Sequence, residues 1–172
     1  MKADGCFIDV DIAFLGVWDT VKSSNDPDLD DHALPARVLA GCHAMALDEK
    51  RRAFPVLKWH ADSRIDQTWF CGVHSDVGGG YAQRALSDIT LRWMIDRAYA
   101  QGLRFRADAV RGLADDALGP IHDSYVGFWR TLGESPRALV ATDNVHASVS
   151  QRTTMLASYR PANLGDGGNR FV

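Results

Sequence analysis

Residues 68–81 read TWFCGVHSDVGGGY, and this stretch decides the fold. Thr68, Trp69, Phe70 and Cys71 have the β-branched and aromatic character of a buried strand. Three glycines, Gly78, Gly79 and Gly80, follow within ten residues, and a helical pattern begins soon after them. Between strand and glycines stand His74 and Asp76. A strand that stops and turns toward a helix is one unit of an α/β layered domain. In such sheets ligands sit beyond the carboxyl ends of the strands, where His74 and Asp76 fall.

Upstream, IAFLGVWDTV (residues 12–21) is a second short apolar run, read as a strand buried on both faces of a parallel sheet. It also ends on a carboxylate, Asp19. Lys22 to His32 is acidic, contains Pro27 and lacks periodicity, which predicts a loop. Alanine and leucine between Pro35 and Leu47 predict a helix with Pro35 in its first turn. Leu86, Ile89, Trp93 and Met94 recur at helical spacing, so Leu86 to Gly102 is the clearest helix. Ser87 offers it a cap, Leu86 and Leu91 a hydrophobic staple, and Gly102 a stop. A shorter helix is expected within Ile121 to Leu132, and an irregular tail after Tyr159. The whole of 1–172 reads as a single domain.

Composition narrows the function. The hydrophobic fraction of 46% and charged fraction of 24% are those of an ordinary globular protein. A net charge of −3 argues against a nucleic-acid partner. No apolar run reaches the roughly 20 residues of a membrane span, and Met1 opens no signal peptide. Cys6, Cys42 and Cys71 form no CxxC pair and are odd in number, which fits buried thiols in a reducing compartment such as the cytoplasm. No cofactor motif is present: the glycines are not followed by the lysine of a P-loop, and they read as tight turns with positive φ. Asp19, His74 and Asp76 lack an identifiable further ligand, so no metal is assigned.

An aspartate and a histidine on two strand ends suggest a general base with its orienting partner. Asp19 before His74 is the latter part of the Ser, Asp, His order of α/β-hydrolases. Each residue also has a plainer reading. Asp19 with Thr20 can turn the chain after a strand, and His74 can be a satisfied strand-end polar group. Asp76 is better read as a ligand for backbone amides of the glycine turn than as a catalytic group. LDEKRRAF (residues 47–54) reads as a solvated helix end whose Arg51 or Arg52 pairs with carboxylates.

Together, FLGVWDTV, HAMALDEKRRAF, QTWFCGVHSDVGGGY, LSDITLRWMIDRA and YRPANL resemble an uncharacterised α/β-hydrolase-like domain family. That family includes the Tle1-type phospholipase effectors of bacterial type VI secretion. The resemblance runs from about Ile12 to Leu164. It implies the C-terminal part of an α/β-hydrolase fold, with Asp19 as triad acid and His74 as triad base. His146, in NVHASV, also lies in a family-like block and is the second candidate base. The implied substrate is a lipid or other ester. An immunity-type protein and secretion without a signal peptide are further implications. The family's nucleophile elbow, of the form G-F-S-R-G, precedes the GVWDTV strand, and this sequence contains no G-x-S-x-G. Ser75 points away from its neighbour His74 on an extended segment, and Ser148 has no elbow. The expectation is a fragment that supplies the Asp and His of a triad and is inactive alone, its partner being an N-terminal half. The rival is a non-catalytic remnant or binding module on the same scaffold.

Overall fold

The computed structural model describes residues 10–22, 32–165 and 169–172. Cys6 and most of the predicted loop after Lys22 lie outside them. Five parallel strands form one sheet in sequence order: β1 (Leu15–Trp18), β2 (Gly41–Ala46), β3 (Ile65–Phe70), β4 (Asn144–Val145) and β5 (Arg170–Phe171). Helices α1 (His74–Gly78), α2 (Ala85–Ala100), α3 (Ala107–Arg111) and α4 (Ala147–Met155), with a 3₁₀ turn at Gly127–Leu132, complete the described elements. The fold is α/β, as the strand and helix patterns implied. The expected alternation is not kept, because β1, β2 and β3 follow one another with no helix between them among the described residues.

β2 corrects the sequence reading most. The predicted helix over Pro35 to Leu47 is a turn at 36–37 followed by a strand whose six residues are all buried. β2 pairs on both sides, Gly41 to Ala46 with Ile65 to Phe70 and Gly41 to Ala44 with Leu15 to Trp18. A strand buried on both faces shows no alternation, and an Ala- and Met-rich run then looks helical. Gly41 suits the crowding there: a Cβ would stand 3.0 Å from Leu34 and 3.4 Å from Trp59, so the Leu34 side chain would have to give by a few tenths of an ångström.

β1 is shorter than the apolar run and only half-buried, and among the described residues it is an edge strand with β2 as its single neighbour. Its expected two-sided burial is therefore not observed. β3 begins at Ile65, upstream of the stretch that announced it. Its Trp69 and Phe70 form the middle of the core with Met45, Leu47, Val77 and Val145.

α2 lies where the periodicity placed it. Leu86, Ile89, Trp93 and Met94 are all buried, and Trp93 meets Phe70 edge to face at 5.3 Å. Its end is a Schellman motif: Gly102, at φ +97°, donates to Tyr99 O, and Leu103 donates to Ala98 O. Its start differs from the prediction. The N-cap is Arg84, no side chain caps the helix, and Ser87 Oγ donates back to Arg84 O. Of the expected helix in Ile121 to Leu132, only the 3₁₀ turn forms; Gly127 adopts φ +56°. The tail is irregular except for β5.

Candidate active site

Asp19 follows β1 directly, and His74 opens α1 just beyond β3. The parallel register places both at the carboxyl edge of the sheet. There His74 Nδ1 lies 2.8 Å from Asp19 Oδ2. An ionised carboxylate only accepts, so in this contact Nδ1 is the donor, and in the neutral form of the ring Nε2 is the nitrogen with the free lone pair. The aspartate is fully buried, and the ring keeps 31% of its surface open. One nitrogen is thus held on a side chain that is only partly buried.

The backbone is bent to make this possible. Asp19 has φ +37°, the one positive φ at a non-glycine among the described residues. The left-handed region costs an L-residue on the order of 1–2 kcal/mol, less for an aspartate that bonds locally. The strain is offset by four hydrogen bonds. Asp19 N donates to Ala44 O at 2.7 Å, Ala46 N donates to Oδ1 at 2.9 Å, and Oδ2 accepts from both His74 and Arg137 Nη2, each at 2.8 Å. Next door, Thr20 N donates to His43 Nε2 at 3.0 Å. Burial pulls that imidazole down to about 4, so His43 is a neutral acceptor at ordinary pH.

His74 is fixed from two further sides. Its N–H donates to Glu49 Oε2 at 3.2 Å, and its ring packs edge to face on Phe54, centroids 5.2 Å apart. Phe54 in turn meets Trp129 at 5.1 Å and carries the Arg51 guanidinium 3.6 Å above its ring. Glu49 corrects the solvated-helix reading of LDEKRRAF. No helix forms there, and Glu49 is 1% exposed. Arg51 does pair with a carboxylate, through Nε at 3.0 Å and Nη2 at 2.8 Å, but the partner is this buried glutamate two residues away. Burial opposes ionisation of Glu49. The bonds from the Arg51 side chain, the Arg51 amide and the His74 amide outweigh it and hold the carboxyl down at about 2.

Asp76 serves α1 differently from the expectation. Its Oδ2 accepts from Val73 N and His122 N, and Oδ1 lies 2.6 Å from His122 Nδ1; its partners are not the glycine amides. It caps α1 and ties in a second histidine, over which Tyr81 stacks at 3.7 Å. Gly72, at φ +112°, allows this turn: a Cβ there would lie 2.5 Å from Asp76 Cβ. Gly78 ends α1, and the positive φ falls on Gly79 (+86°) and Gly80 (+125°).

His146 is not brought to Asp19. It is the N-cap of α4, its Nδ1 accepts from Ser148 N at 3.2 Å and lies 2.9 Å from Ser148 Oγ, and its ring stacks on Phe70. Burial lowers it to about 4. That Ser–His contact is a helix cap: no carboxylate bonds the ring among the described residues. A cleft of about 670 Å³ lies at the amino end of β3, lined by Lys58, Trp59, Gln67 and Asp143 among others, and neither Asp19 nor His74 borders it. No group of three metal-ligating side chains occurs among the described residues, and no helix there is long and apolar enough to cross a membrane.

The family model described as "T6SS, Phospholipase effector Tle1-like, catalytic domain" matches residues 2–97. The chain belongs to this Tle1-like phospholipase effector family. The matched stretch contains Asp19, Glu49, His74 and Asp76, so the Tle1-like match and the carboxyl-edge geometry fall on the same residues. A curated relative, the uncharacterized protein YEL023C of Saccharomyces cerevisiae, is 42% identical over 53 residues, which is 28% of this chain and 8% of the yeast protein. The crystal structure of an uncharacterized protein from Pseudomonas aeruginosa matches 61% of this chain and 20% of its own at 23% identity, with a TM-score of 0.49. This Tle1-like chain therefore spans only a small part of both.

Sequence reasoning missed Glu49, His122 and Arg137. Glu49 was hidden in a charged run. Arg137 stands 118 residues from Asp19 and outside the Tle1-like match. The only signal for Arg137 is an arginine followed directly by the apolar run Ala138 to Ala141, which invites burial.

Proposed function

We propose that this chain supplies the acid–base half of a serine ester hydrolase acting on lipid esters, with His74 as the base and Asp19 as its partner. The observation that carries the reading is the 2.8 Å contact between His74 Nδ1 and a fully buried Asp19 carboxylate. Membership in a phospholipase effector family supports the lipid substrate. A seryl Oγ from outside this chain attacks the ester carbonyl, and His74 Nε2 takes its proton. Asp19 stabilises the imidazolium. That proton then passes to the leaving alkoxide, and the freed base activates water to cleave the acyl-enzyme. This sequence has no G-x-S-x-G, so the serine, and the oxyanion hole that an elbow backbone supplies, are assigned to residues outside these 172.

The test supplies the elbow-bearing segment of a family member, fused or in trans, and follows a short acyl ester. The 172-residue chain alone is expected to stay at background, and the complemented protein to turn over. His74→Ala or Asp19→Ala in the complemented protein should cost on the order of 10⁴-fold in kcat. His146→Ala and His122→Ala should cost much less. Robust hydrolysis by the chain alone, or a complemented enzyme indifferent to His74→Ala, refutes the assignment. A folded, complemented protein without turnover favours the non-catalytic binding module, whose support is the missing elbow.

A further inference from the structure

Arg137 is 5% exposed, on a segment without helix or strand between the 3₁₀ turn and β4. Its Nη2 lies 2.8 Å from Asp19 Oδ2. Its Nε and Nη1 are buried without a hydrogen-bond partner among the described residues. An arginine that serves only to neutralise a buried carboxylate gains most from a two-pronged contact. This one reaches with a single nitrogen the same oxygen that His74 Nδ1 contacts.

We propose that Arg137 is a positioning residue for His74. It shares Asp19 Oδ2 with the ring, fixes the plane of the carboxylate, and biases the imidazole toward its neutral, proton-accepting form. The proposal rests on the reading of His74 as the base. Two donors on one oxygen compete for the same electron density, so each weakens the other's hold. A buried cation also opposes a second positive charge on the ring beside it. The other charged and polar groups around the ring are accounted for. Glu49 faces the His74 amide, but Arg51 neutralises it through two side-chain bonds. His43 stands beside Asp19 through Thr20 and is held neutral by burial. Phe54 contributes an aromatic edge. Arg137 is thus the one cation bonded to the aspartate that His74 uses, among the described residues.

The experiment is an NMR titration of the histidine ring in the 172-residue chain, with no ester and no added segment. Arg137→Gln should raise the midpoint of the His74 titration by about one pH unit. Arg137→Lys, which keeps the charge, should restore most of that difference. A purely structural arginine would alter the melting temperature and leave the midpoint in place. A folded Arg137→Gln chain with an unmoved His74 midpoint overturns the proposal. Should Arg137→Gln not fold, the parent chain still decides: reciprocity requires the Arg137 side-chain resonances to shift with the His74 midpoint as pH changes. Resonances that ignore that midpoint overturn the proposal equally. Both readouts are independent of hydrolysis, so failure of the complementation assay and failure of this coupling are separate results.

Discussion

Replacing Asp19 by alanine isolates what its carboxylate does for the fold. The side chain is completely buried and accepts from Ala46 N, His74 Nδ1 and Arg137 Nη2. Its loss leaves a guanidinium, 4% exposed at the side chain, with no counter-charge bonded to it among the described residues. Removing one partner of a buried pair typically costs about 3–5 kcal/mol. At roughly 2–4 °C per kcal/mol for a domain of this size, the melting temperature should fall by about 6–20 °C. Asp19→Gly loses the same bonds but tolerates φ +37°, so it should be about 1 kcal/mol less damaged than Asp19→Ala. The double variant Asp19→Ala/Arg137→Leu removes both charges and should recover most of the loss. Urea titrations of the four proteins, with slopes checked for equality, give the comparison. The reasoning is refuted if Asp19→Ala lies within about 1 kcal/mol of the parent, or if the double variant is no more stable than Asp19→Ala.

Three further outcomes are expected. Gly72→Ala forces a Cβ to 2.5 Å from Asp76 Cβ at φ +112°, so it should destabilise the chain by roughly 2–4 kcal/mol in urea, whereas Gly79→Ala meets nothing within 4 Å and should cost only its backbone strain. Glu49, held at about 2 against an ordinary 4.5, contributes stability that is complete above pH 4.5 and is lost as pH falls toward 2; the slope of unfolding free energy across that window should shrink in Glu49→Gln. In a Cys6→Ser background, Cys42 and Cys71, both pushed up to about 12 by burial, should resist a thiol reagent at pH 8 until the protein unfolds, and fast native-state labelling would count against the buried core.

The sequence spoke clearly where one rule governs many residues. α2 could be read because Leu86, Ile89, Trp93 and Met94 repeat at a helical period, and the core they face is large enough to enforce it. β2 could not, because all six of its residues are buried, so neither face is exposed and the period that separates strand from helix is erased. Its Ala44, Met45 and Ala46 are helix formers held in a strand, Ala44 by ladders on both sides and Met45 and Ala46 by the ladder with β3, a case of tertiary context overriding local preference.

The same contrast explains the site. Asp19 and His74 are 55 residues apart, yet their meeting was legible, since parallel strands deliver their carboxyl ends to one edge whatever the loops between them do. Nothing comparable governs residues 134–143, which reach the site as irregular chain, so Arg137 arrives there with no topological warrant. Glu49 shows the converse hazard. Within LDEKRRAF it looks like one charge among five, and only the turn that follows β2 sends it inward while Arg52 stays at the surface. Position beyond a strand end predicts that a polar residue is near the site; it does not say whether that residue holds a ring, a backbone amide or another charge. Those roles are decided by the donors that converge on each oxygen. On Asp19 Oδ2 two converge, from segments more than sixty residues apart, and it is their competition that the His74 titration measures.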